Sequence, residues 1–226
     1  MPSQTPAALI EAQREDWNRV AAGWDKWDQF FNRTMAFINH RLVADARIRP
    51  GLQVLDLGSG TGYPALLAGE VVGADGTVVG IDLAESMLAV ASRKAKTLGL
   101  QHVSFRTGDV TALPFDSGSM DSIISRFCLM FLPEIPRATA EIARVLKPGG
   151  YVAAAVWSAP DRSSTSPARS IIALSISPRI FRFSSFSPRS TAPEPPERHR
   201  HGRRYVTVER GDALTCPGGL VHFDLD

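Results

Sequence analysis

Cysteine is scarce in this sequence, and neither sign of charge dominates it. Cys128 and Cys216 are the only cysteines among 226 residues, which excludes a disulfide framework and a cysteine-based metal centre. Cys128 lies in an apolar run and is typical of a small core residue. The formal net charge is +2, too small to indicate a nucleic-acid partner. We therefore predict no metal site and no nucleic-acid partner.

Long apolar runs are also missing. No stretch approaches the ~18 uncharged apolar residues that a membrane span needs. The N-terminus is polar and carries Glu11, Glu15 and Asp16, unlike a signal or transit peptide. With 44% apolar residues, the chain has enough apolar surface for a core. We expect a cytoplasmic α/β protein without a membrane span, made of one domain or of one domain and a tail.

The first 49 residues predict an N-terminal helical cap. Trp17, Val20, Trp24 and Trp27 recur at three- and four-residue spacing, which places them along one stripe of a helix over 6–47. Gly23 is expected to kink or divide this helix. Pro50-Gly51 ends it.

Residues 50–160 alternate between short β-type runs and helical segments. Strands are predicted at 52–57, 77–81, 102–106, 120–125 and 151–157, with helices at 61–72, 84–98 and 133–146. Strands that alternate with helices indicate right-handed βαβ units and a parallel sheet covered on both faces. The predicted core is a doubly wound, Rossmann-like α/β domain.

The composition changes abruptly near residue 160. Residues 161–190 contain ten serines, and the chain after Lys147 holds ten arginines but no lysine. Only 205–208 resembles a strand, which predicts that the C-terminal strands are missing or aberrant and that the fifth strand is an exposed edge. One hypothesis is that 161–226 is a disordered or frameshifted tail, which the other reading frames of the DNA would test. A second makes Arg198 to Arg204 a nucleic-acid-binding arm.

The first strand of the core leads into the loop Gly58-Ser59-Gly60-Thr61-Gly62. Glycines let a backbone turn sharply and approach a ligand closely, and the following helix offers its free N–H groups. In a doubly wound sheet, ligands bind in the crevice at this end of the strands. Taken alone, the loop is equally compatible with an ordinary tight turn.

Two acidic residues follow the next two strands. Asp82 could accept hydrogen bonds from both ribose hydroxyls of an adenine nucleoside, or it could cap the helix from Ala84. Asp109 could accept a hydrogen bond from the adenine amine, with Val110 and Leu83 flanking the ring. Its alternative interpretation is a turn aspartate.

Four segments in this order resemble the class I S-adenosylmethionine-dependent methyltransferases: "VLDLGSGTG", "GIDLAESML", "GDVTALPF" and "RVLKPGGYVAAAVW". The likeness is strongest to the branch that includes ubiquinone and menaquinone biosynthesis enzymes and many small-molecule methyltransferases. It covers about half of the chain and implies methyl transfer from S-adenosylmethionine.

The resemblance also implies roles for individual residues. Gly58, Ser59 and Gly60 would pass close to the methionine part of the cofactor. Asp56 would either orient that loop or meet the amino group of the cofactor, directly or through water. Asp82 would hold the ribose and Asp109 the adenine amine. The remaining cofactor contacts would be the backbone of Arg126 and the side chains of Leu83, Val110 and Met87.

Two alternative functions are weighed against methyl transfer. Nicotinamide enzymes usually show Gly-x-Gly-x-x-Gly to bind a pyrophosphate, whereas this loop has Gly58-x-Gly60-x-Gly62. The other alternative, a remnant that binds the cofactor without catalysis, follows from the atypical tail.

The acceptor side of the site is less defined. His40 and His102 are expected to be surface or structural residues, so no general base is predicted. Five aromatic residues either form a wall for a small, partly hydrophobic acceptor or pack against the sheet: Trp17, Trp24, Trp27, Phe30 and Phe31.

Overall fold

The computed structural model describes residues 5–157 without interruption and, beyond them, the backbone of five strands within 171–221. Two helices open the chain, α1 over Pro6–Lys26 and α2 over Asp28–Asp45. The Thr5 hydroxyl accepts a hydrogen bond from the Ala8 N–H and caps the first helix. The predicted helical cap is present, but it divides at Trp27 and not at Gly23.

The predicted alternation of strands and helices is confirmed from residue 53 to residue 157. The elements are β1 Gln53–Leu57, α3 Ala65–Val72, β2 Thr77–Asp82, α4 Glu85–Thr97, β3 Val103–Thr107, β4 Met120–Arg126, α5 Ile135–Val145 and β5 Leu146–Trp157. A short 3₁₀-helix over Leu129–Phe131 lies between β4 and α5. Gly99 follows α4 with a φ of +71°, which suits the expected helix end.

Five parallel strands form the centre of the sheet in the order β3-β2-β1-β4-β5. The chain moves outward from β1 to β3 and then crosses back to β4. The order therefore reverses between β1 and β4, which in an open α/β sheet opens a crevice at the carboxyl ends of these strands.

The two faces of the sheet bury separate apolar clusters. On one face, α2 and α3 pack on β1 through residues that include Leu42, Val54 and Leu66. On the other, α5 covers Leu55 and Leu57. A third cluster joins α1 to α4 and consists of Trp17, Ala21, Trp24, Ala84 and Met87. The cap is thus attached to the domain over the crevice.

The sheet continues past β5 with antiparallel strands. These are β6 Ile171–Ser177, β7 Ile180–Phe186 and β8 Val206–Val208, and a separate hairpin holds β9 Leu214–Cys216 and β10 Gly219–Val221. The predicted strand at 205–208 is present, whereas the other four strands were missed because the serine-rich composition obscured their β-branched and aromatic residues. Since β6 pairs along β5, the expectation that β5 is an exposed edge is wrong.

Most of the predicted tail lies outside the described residues. The proposed disorder or frameshift of 161–226 and the proposed basic arm at Arg198 to Arg204 therefore stay hypotheses. In the part of the chain that the structure describes, no helix is both long and apolar enough to cross a membrane.

Candidate functional site

The glycine loop after β1 has a conformation that only glycine adopts easily. Gly58, Gly60 and Gly62 have φ values of +66°, +51° and +108°. A Cβ on Gly58 would lie 2.4 Å from the Cβ of Cys128, whereas a Cβ on Gly60 would meet no atom within 4 Å. The loop therefore packs tightly on Cys128 at its start and faces open space at Gly60.

Asp82, at the end of β2, holds this loop in place. One carboxylate oxygen accepts from the Gly60 N–H at 2.9 Å, and the other accepts from the Ala84 N–H at 3.0 Å. Burial raises the pKa of Asp82, and the N–H groups of Ala84, Gly60 and Leu83 oppose that rise. Asp82 thus connects the glycine loop, through hydrogen bonds, to the backbone just before α4.

Asp56 lies beneath the loop and not beside the cavity. Its Oδ2 accepts from the Ala65 N–H at the start of α3, at 3.2 Å. Its Oδ1 is buried with no hydrogen-bond partner among the described atoms. Burial raises the pKa of Asp56 to about 8, against the opposing charge of Arg126. Of the two roles expected for Asp56, the geometry supports orienting the loop and the helix after it.

Arg126 ends β4 and connects the sheet to the cap. Its guanidinium Nη1 donates to the Asn39 Oδ1 of α2 at 2.7 Å, and Asn39 is only 2% exposed. Burial lowers the pKa of Arg126, and the charge of Asp56 opposes this. The side chain, which the sequence did not assign to any contact, therefore positions α2.

One cavity at the crevice collects most of the predicted cofactor residues. Nine of the ten predicted residues line this cavity, and Asp56 does not. The nine are Gly58, Ser59, Gly60, Asp82, Leu83, Met87, Asp109, Val110 and Arg126. The Asp109 Oδ1 accepts from the Thr111 N–H at 2.8 Å, so its turn role is present as well. The turn role and a place at the cavity are compatible.

The cavity also has an aromatic lining, but only part of it was predicted. Trp17 and Trp24 line the cavity, and Trp17 meets Phe131 edge-on with ring centroids 5.6 Å apart. Trp27 and Phe30 are 57% and 60% exposed. Helical rotation turns these two side chains away from the cavity, so they do not belong to the wall.

Several lining residues were missed from the sequence. They come from the N-terminal half of α1 and from the segment after β4: Ile10, Gln13, Phe127, Phe131, Leu132 and Pro133. The Gln13 side chain donates to the Phe131 carbonyl at 2.7 Å and joins these two parts. The apolar run after Arg126 could have indicated that this segment lines the cavity. Nothing in the run shows that Phe127 adopts a φ of +58°.

Neither histidine considered for catalysis lines the cavity. The His102 Nε2 lies 2.8 Å from the Gly69 carbonyl, a structural contact between β3 and α3. His40 is exposed on α2. Within the described residues, no group of histidine, cysteine and acidic side chains could hold a metal ion.

The chemistry of the lining residues fits a nucleoside with a cationic tail. Asp82 and Asp109 offer carboxylates, Gly60 leaves space beside the loop, and Leu83, Val110 and Met87 supply apolar surface. Arg126 is the only cation among the described lining residues, and it already bonds Asn39. A pyrophosphate would find little positive charge here, which argues against the nicotinamide alternative.

Comparison with known proteins points to one family. Residues 55–154 match the family model described as a methyltransferase domain. The chain is 35% identical over 147 residues to a demethylmenaquinone methyltransferase of Staphylococcus aureus, covering 63% of this chain and 60% of that protein. It is 37% identical over 136 residues to the nocamycin O-methyltransferase of Saccharothrix syringae, covering 60% and 48%.

The fold has solved counterparts as well. A crystal structure of an S-adenosylmethionine-dependent methyltransferase from Aquifex aeolicus superposes with a TM-score of 0.51 at 29% identity, over 57% of this chain and 69% of that one. The chain spans less than two thirds of the length of the two curated relatives above. Together with the glycine loop, the two acids and the sheet order, these likenesses show that residues 55–154 form a methyltransferase domain of the class I S-adenosylmethionine-dependent type.

Proposed function

We propose that this chain transfers a methyl group from S-adenosylmethionine to a small, partly hydrophobic acceptor. The observation that carries the proposal is one cavity lined both by the glycine loop and Asp82 and by Trp17 and Trp24. Polar and aromatic surfaces in one cavity suit a cofactor and an apolar acceptor held together.

The residues around the glycine loop would bind the cofactor. Asp82 keeps lone pairs for the ribose hydroxyls beyond those used by Gly60 and Ala84. Asp109 would accept from the adenine amine, between Leu83 and Val110. Gly58, Ser59 and Gly60 would pass beside the methionine part.

The cofactor supplies a methyl group that is already activated by the positive sulfur. The chain's own task is to hold the acceptor in line with that methyl group and to exclude water, which contributes up to roughly 7–11 kcal/mol in favourable cases. The cavity is lined by Trp17 and Trp24 of α1 and by Phe131 of the 3₁₀-helix. These residues would orient the acceptor through its apolar surface.

No general base is assigned. Besides the two aspartates, Tyr63 and Cys128 are the lining residues that could take up a proton after ionising. Burial raises the pKa of both groups, so both stay protonated at neutral pH. We infer that the acceptor's reacting atom ionises readily by itself or needs no deprotonation.

The identity of the acceptor is left to experiment. The two curated relatives are named for demethylmenaquinone and for nocamycin, and these names specify different acceptors. The aromatic lining of the cavity supports an acceptor that has apolar surface. We also propose a cytoplasmic location, supported by the few cysteines, and no nucleic-acid partner.

The test is calorimetric titration of the 226-residue chain with S-adenosylhomocysteine. We expect micromolar binding that Asp82→Ala weakens at least tenfold, which corresponds to about 1.4 kcal/mol. The matched control is Asp75→Ala, the same change at an exposed turn, which should leave the affinity unchanged. A folded chain that does not bind would contradict the cofactor assignment.

A cofactor-binding remnant is the second candidate, favoured by the match that ends at residue 154. Incubation with S-adenosylmethionine and a panel of phenols, quinols and amines separates the two candidates. Release of S-adenosylhomocysteine that depends on an added acceptor supports the enzyme. Tight binding without turnover on any of them supports the remnant.

A further inference from the structure

Five polar contacts between described residues fasten the N-terminal cap along one side of α4. Asn18 accepts from the Ser86 N–H at 2.9 Å and donates to Glu85 at 3.2 Å, and the ion pairs are Arg14–Glu85 at 3.1 Å, Arg93–Asp25 at 2.7 Å and Lys94–Asp28. Four of the contacts join α1 to α4, and the Lys94–Asp28 pair joins α2 to α4. They hold the cap over the cavity.

Lys94 differs from the other members because it also reaches the cofactor loop. Its Nζ donates to the Thr61 carbonyl at 2.8 Å as well as to the Asp28 carboxylate. It also lies 5.2 Å from the centre of the Tyr63 ring. One ammonium group therefore contacts the cap, the loop and a residue of the cavity wall together.

Burial distinguishes this pair from its neighbour. The side chains of Lys94 and Asp28 are 14% and 23% exposed, whereas those of Arg93 and Asp25 are 59% and 38% exposed. Solvent screens an exposed pair strongly and a buried one much less. Burial lowers the pKa of Lys94, and the Asp28 carboxylate opposes this. The charge that holds the loop carbonyl thus depends on a residue of the cap.

The contacted carbonyl lies between two glycines of the loop. Thr61 stands between Gly60 and Gly62, and it lines the cavity. Neither glycine has a side chain to pack, so fixed backbone contacts have to define the conformation of this segment. A hydrogen bond from a charged donor is stronger than one between neutral groups, and Lys94 supplies it from outside the loop.

We propose that Lys94 is a positioning residue that couples docking of the N-terminal cap to binding of the cofactor. The inference rests on the proposed function, because it concerns the same cavity. When Asp28 holds Lys94, Lys94 holds the Thr61 carbonyl and keeps the loop in its binding conformation. By thermodynamic reciprocity, a bound cofactor favours the docked cap to the same extent.

The test compares S-adenosylhomocysteine affinity among variants that loosen the cap with and without affecting the loop. Lys94→Met and Asp28→Asn should each weaken binding roughly tenfold, within the usual range of coupling between sites. Asp28 does not line the cavity, so we expect its effect to pass mainly through Lys94, the residue that it bonds directly. The double variant should bind no more weakly than Lys94→Met alone. Lys94→Arg, which keeps a charged donor, should retain most of the affinity.

The matched controls are Arg93→Met and Asp25→Asn, which break the adjacent contact between cap and α4 and should bind within about twofold of the natural chain. Hydrogen exchange supplies the reciprocal measurement. The ligand should slow exchange in α1 and α2 of the natural chain and of Arg93→Met, but much less in Lys94→Met.

The outcomes separate the inference from the proposed function. If the natural chain binds and Lys94→Met binds equally well, or if the effects of Lys94→Met and Asp28→Asn add in full, the coupling is disproved. If Lys94→Met does not fold, unchanged binding by Asp28→Asn disproves it equally. A natural chain that is folded and does not bind overturns the proposed function first, and the inference with it.

Discussion

At the scale of single residues, the start of the glycine loop leaves no room for a side chain. Gly58 combines a φ of +66° with a virtual Cβ only 2.4 Å from the Cβ of Cys128. Gly60 shares the positive φ but has no atom within 4 Å of such a Cβ. The two glycines therefore separate the cost of backbone strain from the cost of a steric clash.

We expect Gly58→Ala to lower the free energy of unfolding by about 3 kcal/mol, since left-handed strain costs ~1–2 kcal/mol and overpacking a further ~1–3 kcal/mol. Gly60→Ala should lose only about 1–2 kcal/mol, from strain alone. Urea unfolding of the cofactor-free variants measures both. Adding Cys128→Gly should restore part of the loss in Gly58→Ala. Equal losses in the two alanine variants would show that the contact with Cys128 is not limiting.

Asp56 predicts a pH dependence of stability. Burial raises its pKa from 3.8 to about 8 in the folded chain, so between these values the unfolded chain has released a proton that the folded chain keeps. Stability from this group is therefore fully present below about pH 4 and is lost as the pH rises toward 8. We expect the advantage of the natural chain over Asp56→Asn to shrink across that interval and then to level off. Unfolding curves of both chains that run parallel from pH 4 to 8 would contradict this.

Residues at the site could be predicted where their place in the cavity depends on chain position relative to a strand. Asp82 ends β2 and Asp109 follows β3, and the parallel sheet brings such strand ends together. Asp56 failed to line the cavity because its side chain turns under the loop toward Ala65. Phe127 was missed because its position depends on a left-handed backbone that no local pattern indicates.

At the scale of elements, α2 is held mainly by its apolar face. Leu42 is 1% exposed and packs in the cluster that α2 and α3 share with β1. The same helix carries Asn39, which bonds Arg126. Loss of packing at Leu42 should therefore loosen both the cap and the end of β4.

Leu42→Ala should lower the free energy of unfolding by about 2–5 kcal/mol, as expected for a buried leucine. The control is Leu98→Ala, the identical change at a side chain that is 49% exposed at the end of α4. It should cost roughly 0.5 kcal/mol or less. Thermal or urea unfolding distinguishes the two, and comparable losses would mean that α2 is not packed as described.

Element types were easier to predict than element ends. The three-residue and four-residue spacing of the tryptophans identified the cap helix, but glycine was given too much weight as a breaker. Gly23 continues α1 and accepts from the Trp27 N–H at 3.1 Å, so the division comes at Trp27. Strand β5 begins at Leu146 and not at 151, because Leu146 pairs with Met120 across an irregular register.

At the scale of the whole molecule, the sheet extends well beyond the part that binds the cofactor. The lining residues that the structure describes lie between Ile10 and Pro133, whereas β6 to β8 continue the sheet beyond β5. The later strands therefore cover the backbone edge of β5. This arrangement could not be foreseen, because pairing between distant strands leaves no local mark in a serine-rich sequence.

A chain that ends at residue 160 should associate, because it leaves the whole β5 edge unpaired. Of the strands that the structure describes, a chain that ends at residue 208 keeps β6 to β8 and loses β9 and β10 of the separate hairpin. It should remain as dispersed as the full chain. Light scattering after size-exclusion chromatography measures both, and a 160-residue chain as well dispersed as the 208-residue chain would contradict the pairing of β6 with β5.

The position of the indole rings makes the chain its own optical reporter. Trp17 and Trp24 line the cavity, with ring centroids 6.4 Å apart, while Trp27 is largely in water. A ligand that enters the cavity changes the surroundings of Trp17 and Trp24 and leaves those of Trp27, one of the two other tryptophans in the chain, as an internal reference. Acceptors can therefore be screened by the wavelength of tryptophan fluorescence emission, on the unlabelled protein and before any product is known.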